Sequence, residues 1–214
     1  MEKFIKKLLR ESLLGEKALR INELPENTAL FIKNKRNIIF SLDLYCPEND
    51  EIYGTISFSK IGDKLFGISG VAALRGFGPF IYELAMMHLN NFDSYLMPSR
   101  DGDVRGEAFN VWEKFYNRND VIKDTFEYTD EEYNYEILGY DVSMEEREEY
   151  LKDVEEDGGF KKYESNVLLV YNTKYSLKPN NDYYELIERS KKYSQDVWVK
   201  ALERGEELWE EKYE

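Results

Sequence analysis

Ser69-Gly70-Val71-Ala72-Ala73-Leu74-Arg75-Gly76-Phe77-Gly78-Pro79-Phe80-Ile81-Tyr82-Glu83-Leu84 is the stretch on which the architecture turns. Residues 64–73 read as a strand, and residues 80–89 carry apolar side chains at helical spacing. Between them, Gly76-Phe77-Gly78-Pro79 marks a helix start. Proline is pre-organised for the first helical turn, and the glycine before it lets the backbone bend. The first amides of such a helix have no internal partners, and with the helix dipole they form an anion site. An ordinary β–α turn that needs glycine at positive φ has the same pattern, and both readings stand. The chain lacks Gly-x-x-x-x-Gly-Lys-Ser/Thr, which argues against a P-loop. It also lacks the wider Gly-x-Gly-x-x-Gly series, and the segments before the turn do not open a Rossmann unit.

Upstream, residues 29–33 and 37–45 read as strands joined by a turn at Asn34-Lys35-Arg36. Pro47-Glu48-Asn49-Asp50 is a second turn. Residues 52–59 alternate, with Ile52, Gly54, Ile56 and Phe58 on one face and Tyr53, Thr55, Ser57 and Ser59 on the other. Gly62-Asp63 turns the chain into the strand at 64–73. Four strands with short turns make an antiparallel meander. Downstream of the helix come a short strand at 93–97, a polar loop at 99–106 and a helix at 107–117. Strand, turn, helix and strand in this order form a crossover joining parallel strands. Beyond it, the chain is acidic over 121–160, with a candidate strand at 133–140 and a solvated helix at 144–156. Residues 166–173 form a strong β segment, and 182–213 are helical with a break near Ser190. The fold expected is α+β: a mixed, mostly antiparallel sheet of six to seven strands with flanking helices. Its core spans 28–175, a basic amphipathic helix lies within 1–20, and a helical extension occupies 181–214.

Composition narrows the chemistry. The chain has 214 residues, 42% hydrophobic, with 29 Lys+Arg against 43 Asp+Glu. That suits one domain with additions. A formal charge of −14 disfavours non-specific nucleic-acid binding. The single cysteine, Cys46, excludes an internal disulfide framework, and no base lies near it in sequence. The single histidine, His88, excludes multi-histidine metal sites and reads as structural, so no metal is expected. No apolar run approaches the roughly 20 residues needed to span a bilayer, and no secretory leader is recognisable. A reducing cytoplasm is the expected compartment.

The order of elements resembles the GNAT acetyltransferase superfamily. There, an antiparallel meander leads into a strand, a glycine-rich pyrophosphate loop of pattern Gln/Arg-x-x-Gly-x-Gly/Ala, a helix, a strand and another helix. Gly76-Phe77-Gly78 with Ile81 fits the glycines and the following aliphatic residue, with Ala73 in the Gln/Arg place; the alternative register aligns Arg75 and Gly78 and puts Phe80 at the last position. Ala108-Phe109-Asn110-Val111-Trp112-Glu113-Lys114-Phe115-Tyr116 is similar to the family's Ala-x-x-x-Tyr-Glu-Lys segment. The chain resembles, more closely, small GNAT-like proteins of tailed bacteriophages. They share Gly-x-Gly-Pro-x-x-Tyr before an Ala-Met helix, here residues 76–86, and a later Val-Trp-x-x-Tyr, here Val111-Trp112 to Phe115-Tyr116. In both, the helices that usually separate the first two strands are missing. The resemblance covers roughly residues 28–118.

It implies acetyl-CoA or another acyl-CoA as cofactor, held by Val71, Ala72, Arg75, Gly76, Phe77, Gly78, Pro79 and Trp112. Trp112 stands where the family places the tyrosine that protonates the departing thiolate. An indole N–H cannot do that, and Tyr116 one turn on is the substitute. Glu51, Asp101 and Asp103 lie in loops within reach; Asp103 is the candidate base. Two functions follow. One is transfer of an acyl group from acyl-CoA to an amine acceptor. The other is a non-catalytic, virion-associated or binding protein on a GNAT-like scaffold. That protein would assemble through residues 2–14 and the aromatic C-terminal helices, and would reside in host cytoplasm or virion.

Overall fold

The computed structural model describes residues 24–98, 106–125, 170 and 173–213. The basic helix at 2–14, the strand at 133–140, the helix at 144–156 and the loop containing Asp101 and Asp103 lie outside them. Among the described residues the fold is α+β, with an open seven-stranded sheet in the order β1-β2-β3-β4-β5-β7-β6. β1 (Ala29–Lys35), β2 (Ile39–Cys46), β3 (Glu51–Gly62) and β4 (Leu65–Ala73) form the meander. α1 (Gly78–Asn90) crosses to β5 (Tyr95–Met97), which runs parallel to β4. α2 (Gly106–Asn117), β6 (Ile122–Thr125) and β7 (Thr173–Ser176) follow, with β7 antiparallel to both its neighbours. α3 (Asn181–Ser190) and α4 (Gln195–Tyr213) close the chain.

Three features differ from the sequence reading. The first hairpin turns at Arg36-Asn37, not Asn34-Lys35-Arg36. Both residues take positive φ (59° and 55°), and the Ile38 amide bonds the Lys35 carbonyl at 3.1 Å, as in a type I′ turn. Asn34 fastens the turn from outside by bonding the Asn37 amide at 2.8 Å. In β3 the alternation breaks at Tyr53, because Leu44 pairs with Gly54 and Tyr45 with Ile52, leaving Tyr53 as an extra residue. Tyr53 therefore joins Ile56 and Phe58 in the main core, while Ile52 packs on the other side. Of the strand expected at 166–173, Val170 is helical and Thr173 opens a strand that runs to Ser176, while 166–169 and 171–172 lie outside the described residues.

Each face of the sheet has its own core. On one face α1 is buried from Phe80 through Leu89, because nearly every position is apolar. Phe40, Phe58 and Phe66 of the sheet belong to the same cluster, as do Trp112 of α2 and Tyr183 and Leu186 of α3. On the other face α4 lies across β1–β4 with a smaller aromatic core. Phe31 sits 5.1 Å from Trp198 and 5.9 Å from both Tyr45 and Tyr193. The α3–α4 pair thus wraps the β1 edge, where Arg189 and Tyr193 donate to the carbonyls of Thr28 and Asn27. This covers an edge that would otherwise pair with another chain. Trp198, a candidate assembly residue, is engaged within the chain: its indole donates to the Ser190 carbonyl at 3.2 Å.

Gly205 lets α4 approach the sheet. A Cβ there would meet Asp43 Oδ1 at 2.2 Å and Thr55 Oγ1 at 3.3 Å. Gly205→Ala therefore destabilises. Overpacking of about 1–3 kcal/mol outweighs the roughly 1 kcal/mol gained in helix propensity. A denaturant midpoint that rises in the variant would contradict this contact.

Candidate functional site

The β4–α1 turn is built from a few backbone bonds. The Leu74 amide bonds the Tyr53 carbonyl at 2.9 Å, and the Phe77 amide bonds the Leu74 carbonyl at 2.9 Å. Gly76 takes φ 95°, which strains any other residue. Phe77 caps α1 without a side-chain bond, and the Ile81 amide closes the first helical bond onto its carbonyl at 3.0 Å. Pro79 has no N–H, so Gly78 and Phe80 are left as the early amides without a backbone acceptor among the described residues. No acidic side chain occupies the first turn of α1. The N-terminal end of the dipole is therefore uncompensated and favours an anion.

The phenyl rings point away from these amides. Phe77 is 5% exposed and Phe80 4% exposed; both belong to the main core, and the Phe77 ring lies 4.9 Å from Tyr53. A Cβ added at Gly76 or Gly78 would meet nothing within 4 Å. The cradle is open, and neither ring fills it. Arg75 is exposed beside it. Two amides without a backbone acceptor, an exposed arginine and open space at both glycines leave the turn accessible to an anion.

The strand leading into the turn is also prepared. β5 pairs with β4 only over Leu65–Gly67 and ends at Met97, whereas β4 continues to Ala73. Directly after the last parallel pair, Ser69 is bulged, because Ser57 pairs with Gly70 and Phe58 with Ile68. A bulge bends and twists its strand. Val71 and Ala72 lie on this outer length; the Ala72 side chain is buried.

The remaining candidates fall elsewhere. Trp112 is 1% exposed, enclosed by Tyr82 at 5.2 Å, Phe115 at 5.8 Å and Tyr175 at 4.8 Å. It is a core residue that links α2 to α1 and β7. Tyr116 is half-buried near the end of α2, with the Lys123 ammonium 5.8 Å from its ring centre and bonded to its carbonyl at 2.7 Å. Asp103 lies outside the described residues. His88 is buried; its Nδ1 bonds the Tyr183 hydroxyl at 2.9 Å, and burial lowers its pKa to about 4. His88 is thus neutral at physiological pH. Cys46 is buried. Among the described residues no group of three or more His, Cys, Asp or Glu side chains would hold a metal, and no helix is long and apolar enough to cross a membrane.

Two buried carboxylates escaped the sequence reading. Glu83 of α1 is paired with Arg118, which also bonds Asp120 at 2.6 Å. Asp43 of β2 lies under Gly205, and its Oδ2 has no hydrogen-bond partner among the described residues. The signals present were a glutamate in the apolar helix at 80–89 and an aspartate in the apolar strand at 37–45. No family model, curated protein or solved structure gives a significant match to the chain.

Proposed function

We propose that the chain is a GNAT-like acyltransferase that moves an acyl group from acyl-CoA to an amine. The observation that carries this reading is the open, uncompensated helix start that follows β4, where an added Cβ at Gly76 or Gly78 meets nothing within 4 Å and the first turn of α1 holds no acidic side chain. The order of meander, glycine turn, crossover helix and parallel strand supports the same reading. In it, the Gly78 and Phe80 amides and Arg75 hold the diphosphate, and the Val71–Ala72 edge of β4 lies along the thioester arm. The thioester supplies an acyl group already activated toward an attacking amine. Direct attack needs a positioned donor, a base for the amine proton and an acid for the leaving thiolate. Asp103 is the base and Tyr116 the acid in this proposal.

A second reading is favoured by one observation. The residue in the family's acid position, Trp112, is a sealed core indole. A scaffold that keeps the fold without the acid would serve as a binding or virion-associated protein of the phage type, with residues 2–14 as its attachment.

Calorimetric titration with acetyl-CoA separates the readings. The first predicts saturable heat in the wild type, and Gly78→Leu weakens it tenfold or more without changing the melting temperature. Substitution is tolerated there because an added Cβ meets nothing within 4 Å and φ at Gly78 is not positive. No heat at millimolar acetyl-CoA would sink the transferase reading. Unchanged affinity in the variant would remove the turn from it.

A further inference from the structure

On the face opposite α1, the structure outlines a groove of about 490 Å³ between α4 and the β1–β4 meander. Its volume is within the usual range for ligand pockets. α4 crosses the meander obliquely: Ala201 packs with Phe31 and Tyr45, Gly205 sits over Asp43 and Thr55, and the Trp209 indole lies over Gly70 of β4. The wedge left open toward the first hairpin is floored by one cross-strand row, Lys33–Ser41–Ser57–Gly70, whose members pair in register.

This floor is polar where a packed helix would favour apolar residues. Ser41, Thr55, Ser57 and Ser69 line it; the Ser69 hydroxyl is also 3.2 Å from that of Ser59, and the Thr55 and Ser41 hydroxyls interact with the Asp43 carboxyl. Charge is segregated along it: Lys33 and Lys35 stand at the β1 end, Glu206 and Glu210 on the α4 wall. None of these four makes an ion pair among the described residues. Next to the acidic wall lies Asp43, fully buried, with its Oδ2 unpartnered among the described residues. Cations at one end, carboxylates along the wall and hydroxyls between them match a ligand with separated opposite charges and polar groups along its length. The four-strand row spans roughly 14 Å, three spacings of about 4.8 Å, which is the length of about four extended residues.

We propose that this groove binds a short extended peptide, its carboxylate at Lys33 and Lys35 and its ammonium at Glu206 and Glu210. Ser41 and Ser57 bond its amide groups, and Trp209, 43% exposed, offers a face to a small side chain. No residue of the glycine turn takes part, so the site stands or falls independently of the acyl-CoA reading.

The probe is tetra-alanine, followed through the Trp209 indole N–H resonance in 15N-labelled full-length protein. A saturable shift is expected, weakened tenfold or more by N-acetylation or by C-terminal amidation. In Lys33→Met/Lys35→Met the free peptide and its amide bind alike. In Glu206→Gln/Glu210→Gln the free and acetylated peptides bind alike. All four positions are exposed, so both variants keep the wild-type circular dichroism. Absence of a saturable shift, or equal affinity for free and blocked peptides in the wild type, would overturn the proposal.

Discussion

Asp43→Asn raises the unfolding free energy at pH 8 by about 4 kcal/mol and removes the fall in stability between pH 4 and 7. The cause is burial, which pushes the Asp43 carboxyl from 3.8 to about 7, with Glu206 adding to the shift and Thr55, Lys33 and Ser41 opposing it. Below the unfolded value both states carry the proton and the group contributes nothing to pH dependence. Between the two values the folded state holds a proton that the unfolded state has released, so stability falls as pH rises. Above pH 7 the cost is complete, at about 1.4 kcal/mol for each unit between 3.8 and 7. Asparagine keeps the shape without the charge. Urea unfolding of both proteins from pH 4 to 8 measures the difference. Parallel curves would show that the carboxyl ionises as freely in the folded chain as in water.

Arg118→Met lowers stability at pH 7 by about 3 kcal/mol, toward the low end for breaking a buried pair because Arg118 is itself 29% exposed. The loss comes from Glu83, whose side chain stays buried in α1 without its cation. Burial already raises the Glu83 pKa, and Arg118 only partly offsets it. Acidification protonates Glu83, so the variant regains most of the loss at low pH. Glu83→Gln in the same background restores stability at neutral pH, because the charge that needed Arg118 is gone. If Arg118→Met were equally destabilising at pH 4 and pH 7, or not rescued by Glu83→Gln, packing rather than charge would hold this corner.

These two carboxylates mark where the sequence stopped being legible. The meander, the helix after Pro79 and the C-terminal helices follow from local periodicity and turn residues. So does the break near Ser190, which the structure places between α3 and α4. The first turn slid because its geometry is set by two residues tolerating positive φ, and Arg36 carries no such signature. The face switch at Tyr53 comes from a pairing register, which a single strand's alternation cannot reveal. β6 is Ile-Lys-Asp-Thr, short and charged at the sheet edge. That composition protects an edge from wrong pairing and also makes the strand read as part of an acidic loop. The glycine turn was visible because the residues that shape it are consecutive. The α4 groove was not, because it joins Lys33 and Ser41 to Glu206 and Trp209 from the far end of the chain.

The central claim is that the opening amides of α1 receive a diphosphate. Backbone 1H–15N shifts of full-length protein titrated with coenzyme A test it residue by residue. The account predicts that Gly76, Gly78 and Phe80 move most, saturably and together, with Val71 and Ala72 following along β4. Stationary resonances at these five positions while coenzyme A binds elsewhere, or does not bind, would contradict it.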